Sequence, residues 1–90
     1  MNELSNYIIN LNVAPNPVFG HSFMISYLLE QNQKGLLEVL DVEGRTVYKQ
    51  ILPKWSTLQN ITAPALHSGL YLLRLTSGNS VTTIRMTVTE

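Results

Sequence analysis

The sequence contains no cysteine, which excludes disulfide bonds and metal sites built from thiolates. Charged residues are also scarce, at 13% of the 90 positions, which is about half of the usual share. The six basic and six acidic side chains cancel. Because nucleic-acid binding needs a basic face and no basic cluster is present, we expect no nucleic-acid partner.

Long apolar runs are missing as well, since no stretch approaches the roughly 20 residues of a membrane span. No segment shows a sustained helical period. The first six residues lack the basic and apolar regions of a signal peptide. If the domain works outside the cell, we therefore expect this chain to be part of a larger protein.

What the sequence does contain is short β-rich segments separated by turns, with a turn signal about every 8–12 residues. This spacing predicts an all-β antiparallel sandwich of about seven strands, at 7–13, 21–29, 36–40, 45–52, 57–62, 70–76 and 81–88. The period-two alternation predicts one core. Its expected members are Leu37, Val39, Val47, Tyr71, Leu73, Leu75, Ile84, Met86 and Val88.

Two motifs lie in the first half of the chain. The first is a Pro-Asn-Pro segment, which must end a strand because proline has no N–H to donate to a ladder. In the second, Asp41 is expected to cap a hairpin turn, and Gly44 is expected to have a positive φ before Arg45 begins the next strand. The residues of the first motif are Pro15, Asn16 and Pro17.

A third motif opens the strongest predicted strand. Gly69 and Tyr71 follow a corner, and a tyrosine there can bury its ring while its hydroxyl bonds nearby backbone, as in a tyrosine corner. Gly78 lies in the tight turn before the last strand.

The remaining candidate side chains offer little chemistry. His21 and His67 are expected at the surface, and two carboxylates, Asp41 and Glu43, are too few for calcium, which takes about 6–8 oxygen ligands. Trp55 could stack on a sugar, but packing at the sandwich edge is favoured. No nucleophile, acid-base or phosphate-binding motif is present. We therefore expect no enzyme activity, no metal and no cofactor.

The three motifs, taken in this order, resemble the type A C-terminal sorting domain of the type IX secretion system over residues 11–90. The resemblance implies an immunoglobulin-like sandwich at the extreme C-terminus of an exported passenger. It also implies transit through the periplasm and the outer-membrane translocon to the cell surface or medium. The implied partners are the translocon, outer-membrane shuttle proteins and a sortase-like peptidase, which often removes such domains before the passenger is joined to an anionic lipopolysaccharide.

On this interpretation, residues 1–10 are a linker or the tail end of the passenger, and cleavage would fall there. Family members often end with Lys or Arg among the last valines, and Arg85 fits that position, although the terminus is Thr-Val-Thr-Glu. The candidate recognition surface is Arg74, Arg85, Thr87, Val88, Thr89 and Glu90.

Two further possibilities remain at this stage. The alternative function is an adhesive or carbohydrate-binding β-sandwich module of an extracellular protein, which would need an aromatic platform. A short sandwich also has edge strands that could pair into a weak homodimer.

Overall fold

The computed structural model describes residues 10–63 and 66–89, which form two packed β-sheets. The smaller sheet has the strand order β1-β3-β6 and the larger has the order β2-β8-β7-β4-β5. The prediction of an all-β sandwich is confirmed. The strands are β1 Leu11–Ala14, β2 Val18–Phe19, β3 Ser22–Tyr27, β4 Gly35–Leu40, β5 Thr46–Leu52, β6 Leu58–Thr62, β7 Gly69–Ser77 and β8 Ser80–Thr89.

Strand β2 was not predicted, and it also breaks the expected antiparallel pattern. Its two residues pair in parallel with β8, Val18 opposite Val88 and Phe19 opposite Thr89. A two-residue strand between a proline and a glycine is too short to show any alternation. The described part of the first strand begins at Leu11, so its predicted start at residues 7–9 lies outside the described residues.

The core lies between the two sheets and follows the alternation of the strands. In β3 every second residue is buried, and in β7 the same holds from Tyr71 to Ser77. Each large apolar side chain that is fully buried contributes roughly 1.5–3 kcal/mol. Ile84 is half-buried and packs against the core. The other predicted core residues that are buried are Leu37, Val39, Tyr71, Leu73, Leu75, Met86 and Val88.

The prediction that Val47 belongs to the core is wrong. The register of β5 shifts, so that Val39 lies opposite Tyr48 and Leu40 lies opposite Thr46, which leaves Val47 as the extra residue of a β-bulge. Its side chain is 39% exposed. The inward positions of β5 belong instead to Tyr48 and its alternating neighbours, which face the buried residues of β4.

Candidate recognition surface

The turn between β4 and β5 is held by the carboxylate of Asp41. Its Oδ1 accepts hydrogen bonds from the backbone N–H groups of Glu43 at 2.9 Å and Arg45 at 3.0 Å. Its Oδ2 accepts one from Arg45 Nε at 2.9 Å. Gly44 has a φ of 86° and donates its N–H to the Asp41 carbonyl at 3.0 Å. Both predictions for this turn, the Asp41 cap and the positive φ of Gly44, are confirmed.

These contacts favour the charged form of Asp41. The hydrogen bond from the backbone N–H of Arg45 is the largest effect on the pKa of this carboxyl, and it lowers the pKa below its ordinary value. Desolvation raises the pKa, but by less. The side chain of Arg45 and the backbone N–H of Glu43 lower this pKa further. Both carboxylate oxygens are therefore engaged within the turn, which fits a structural role and not a calcium ligand.

The lowered pKa predicts that the turn loses stability in acid. Because the pKa of Asp41 is lower in the folded state than in the unfolded state, its stabilisation is complete above about pH 4 and is lost as the pH falls through the folded value. Asp41→Asn should therefore flatten the fall in unfolding free energy between about pH 6 and about pH 2.5, measured by urea denaturation. Val42→Ala, an exposed change in the same turn, should keep the parent profile. An unchanged slope in Asp41→Asn would contradict the assignment.

Tyr71 closes the corner that precedes β7. Its hydroxyl donates to the carbonyl of His67 at 3.0 Å and accepts from the N–H of His67 at 3.1 Å, while its ring is buried. This is the tyrosine corner that the sequence predicts, and it satisfies two backbone groups with one side chain.

The three sequence motifs meet at one end of the larger sheet. The Asp41 turn follows the end of β4, and Gly69 begins β7 opposite Val88 near the end of β8. The side chain of Asn16, between β1 and β2, accepts a hydrogen bond from the N–H of Thr87 at 3.4 Å. We call this the motif end of the sheet. Gly78 lies in the turn at the opposite end.

The outer face of the larger sheet, which points away from the smaller sheet, combines apolar and charged side chains. Strand register places alternate residues of β4, β5, β7 and β8 side by side on this face. Grouped and exposed apolar side chains mark surfaces that bind other molecules. The exposed apolar members are Ile51, Leu70 and Val81, the half-buried ones are Leu36 and Leu72, and the charged members are Glu38, Lys49, Arg74 and Arg85.

Arg74 and Arg85 lie on this outer face, on adjacent strands. Arg74 is opposite Thr83 and Arg85 is opposite Leu72. Arg74 forms an ion pair with Glu38, with its Nη2 2.9 Å and its Nε 3.0 Å from Oε1. Arg85 forms no ion pair with any residue in the described ranges. The two arginines therefore differ, because one is held within the sheet and the other faces solvent.

Comparison with known proteins agrees with this arrangement of motifs. The model of the secretion system C-terminal sorting domain family matches residues 12–89. The chain belongs to this family. It is therefore a sorting signal of type IX secretion, a role that implies interaction with the type IX machinery and export to the cell surface or the extracellular space.

A solved structure shows the same fold in a different protein. The sorting domain superposes on part of Faecalibacterium prausnitzii beta-glucuronidase with a TM-score of 0.71 and 21% sequence identity. The match covers 90% of this chain and 14% of that chain. At this identity the likeness concerns the fold alone. The comparison with curated proteins gave no match.

The predicted recognition residues at the end of the sorting domain do not share one environment. Thr87 is exposed and Thr89 is half-buried, both on the strand that carries Arg85. Val88 is only 2% exposed, so its side chain belongs to the core and does not contribute to the outer surface. Its position in the alternation directs it inward, toward the smaller sheet. Glu90 lies outside the described residues.

Trp55 does not pack at the sandwich edge as expected. It is 67% exposed and has a φ of 68°, which is unusual for a bulky residue. It borders an open cleft together with Glu30, Gln31 and Asn32. His21 and His67 both have exposed side chains, as predicted.

The described residues of the sorting domain hold no group of three or more His, Cys, Asp or Glu side chains arranged to bind a metal ion. Over the same residues, no helix has the length and apolarity to cross a membrane.

Proposed function

We propose that the domain carries an attached passenger from the periplasm through the type IX outer-membrane translocon and catalyses no reaction itself. Family membership is the observation that carries this proposal. The specific partners would be the translocon and outer-membrane shuttle proteins. A sortase-like peptidase would then cut within residues 1–10, ahead of Leu11, where β1 begins.

The surface that the machinery reads is proposed to be the outer face around Arg85, together with Thr87 and Thr89 toward the motif end. Arg85 supports this choice because its guanidinium has no ionic partner within the described residues. A free cation beside exposed apolar side chains can bond a carboxylate of a partner, and charge-assisted bonds of this kind contribute about 1.5–3 kcal/mol. Arg74 is less available because Glu38 already holds it.

An export assay tests the proposal. The 90-residue chain is fused to the C-terminus of a periplasm-targeted reporter in a host that has a type IX system. The intact fusion should reach the cell surface or the medium. Arg85→Ala should reduce the exported fraction about tenfold, in line with the loss of one charge-assisted contact. Fractionation of periplasm, cell surface and medium gives the measurement.

Lys49→Ala is the matched control, because Lys49 lies on the same outer face but on β5, away from Arg85. Both variants should melt near the parent temperature, since surface substitutions usually change stability by no more than about 0.5 kcal/mol. Export of Arg85→Ala at the parent level would place the recognition surface elsewhere. Retention of the intact fusion in the periplasm would overturn the proposed function itself.

The role of Arg74 has to be tested with a different kind of variant from the one used for Arg85. Removing it alone leaves Glu38, whose side chain is only 14% exposed, without its partner. Replacing both Arg74 and Glu38 with alanine avoids an unpaired carboxylate and isolates any part that Arg74 has in recognition.

A further inference from the structure

The sandwich has four sheet edges, and they are not equally protected. Edge strands pair readily with other chains unless they are short or carry a bulge, a lysine or a proline. Strand β1 has four residues and β6 has five, and β5 carries a bulge and Lys49. Strand β8 has ten residues without lysine or proline, and β2 covers only its last two positions. The outer edge of β8 is therefore the longest open edge in the described part of the molecule.

The free backbone groups on this edge can be identified from the register. Thr87 donates its N–H to Asn16, and Thr89 accepts from the N–H of Gly20 at 3.1 Å, so both residues direct backbone groups away from β7. Backbone direction alternates along a strand. Hence the N–H and C=O groups of Val81, Thr83 and Arg85 also point away from β7, and no described segment pairs with them there.

We propose that this edge binds a second copy of the same chain, with the two β8 strands antiparallel about a two-fold axis at Thr82. Val81 of each copy would lie opposite Thr83 of the other. Each such pair exchanges two hydrogen bonds, so the dimer gains about four. The two five-stranded sheets become one continuous ten-stranded sheet.

The register is limited by the positions that Asn16 and β2 already occupy beside the end of β8. An axis at Thr83 would place the Gly78-Asn79 turn of the second copy beside Thr87 and Val88, where Asn16 and β2 already lie. An axis at Thr82 places that turn beside Arg85, before the positions that Asn16 and β2 occupy.

Charge also favours a second copy in this register. With the axis at Thr82, the two Arg85 side chains lie about 20 Å apart along the sheet, so no like charges face each other. Threonine and valine, which favour strands, occupy the whole contact. With only about four hydrogen bonds and a short contact, the dimer should be weak, with a Kd in the range of about 10 µM to 1 mM.

Sedimentation of the 90-residue chain over that range of concentrations tests the proposal, and a concentration-dependent dimer is the expected result. Thr83→Pro removes an outward N–H from each copy without touching the bonds to β7, and should raise Kd by about tenfold or more. Asn60→Pro is the control, because it makes the same change on the edge of β6 in the other sheet. Both variants are checked for cooperative melting.

A cross-link provides a second measurement that does not depend on the proline variants. Because the chain has no cysteine, Thr82→Cys can form a disulfide only between two copies. Residues facing each other at the axis have Cα atoms about 4.5 Å apart, within the range that a disulfide spans. Thr87→Cys, exposed on the same strand, lies much too far from its counterpart in the dimer to form one.

A chain that stays monomeric at about 1 mM, with no excess of disulfide in Thr82→Cys over Thr87→Cys, would overturn the proposal. In that case the open edge of β8 would instead be a binding site for a strand of a different protein. The assay contains no secretion machinery, so its outcome is independent of the export experiment and of the proposed function.

Discussion

Replacing Leu73 with alanine is expected to lower the free energy of unfolding by about 2–5 kcal/mol, the usual cost of a large-to-small change in a core. Leu73 has no exposed surface and lies on β7 between Val39 of β4 and Ile84 of β8. Small domains have total stabilities of about 5–15 kcal/mol. One substitution in the middle of the larger sheet therefore removes a large share of the stability.

Urea denaturation followed by far-UV circular dichroism measures this loss. Leu70→Ala is the matched control, because Leu70 belongs to the same strand but is 44% exposed on the outer face. It should cost less than about 1 kcal/mol, since little apolar area is returned to water. If the two variants lost equal stability, the assignment of inner and outer faces in β7 would be wrong.

Deleting residues 81–90 is expected to abolish export of the reporter fusion. Strand β8 pairs with β7 from Ser80 to Val88 and pairs with β2 on its other side. Its removal takes Met86 and Val88 out of the core and exposes one edge of β7, whose other edge still pairs with β4. The truncated domain should be degraded or retained in the periplasm, as measured by cell fractionation and limited proteolysis.

Loss of folding and loss of recognition can be separated within the same assay. Met86→Ala keeps β8 and its outer face but should cost about 2–5 kcal/mol through the cavity it leaves. If Met86→Ala is exported whenever it remains folded, export depends on the presence of the strand and not on the margin of stability. Export of the deletion variant at the parent level would show that β8 carries no part of the sorting signal.

Much of the fold could be predicted because its determinants are local. The alternation in β3 reports directly which side chains face the core, and the Asp-x-x-Gly pattern requires both the cap at Asp41 and the positive φ at Gly44. The tyrosine corner could also be predicted, since the hydroxyl of Tyr71 bonds a residue only four positions earlier.

The features that escaped prediction depend on pairing between distant parts of the chain. The contact between Asn16 and Thr87 spans 71 positions, and the ion pair between Glu38 and Arg74 spans 36. The alternation of side chains also does not show which set of alternate residues in an edge strand faces the core. In β5, both Val47 and Tyr48 are apolar enough to face inward. The register with β4 decides between them, and a single strand carries no information about that register.

The pairing of β2 with β8 has a consequence for the order of events during synthesis. Residues 18–19 pair with residues 88–89, so the larger sheet cannot be completed before β8 has been synthesised. Contacts of such long sequence separation form late and slowly. A receptor that binds only the completed β8 would thus reject chains that were truncated before this strand, and would export only passengers whose sorting domain had been made as far as β8.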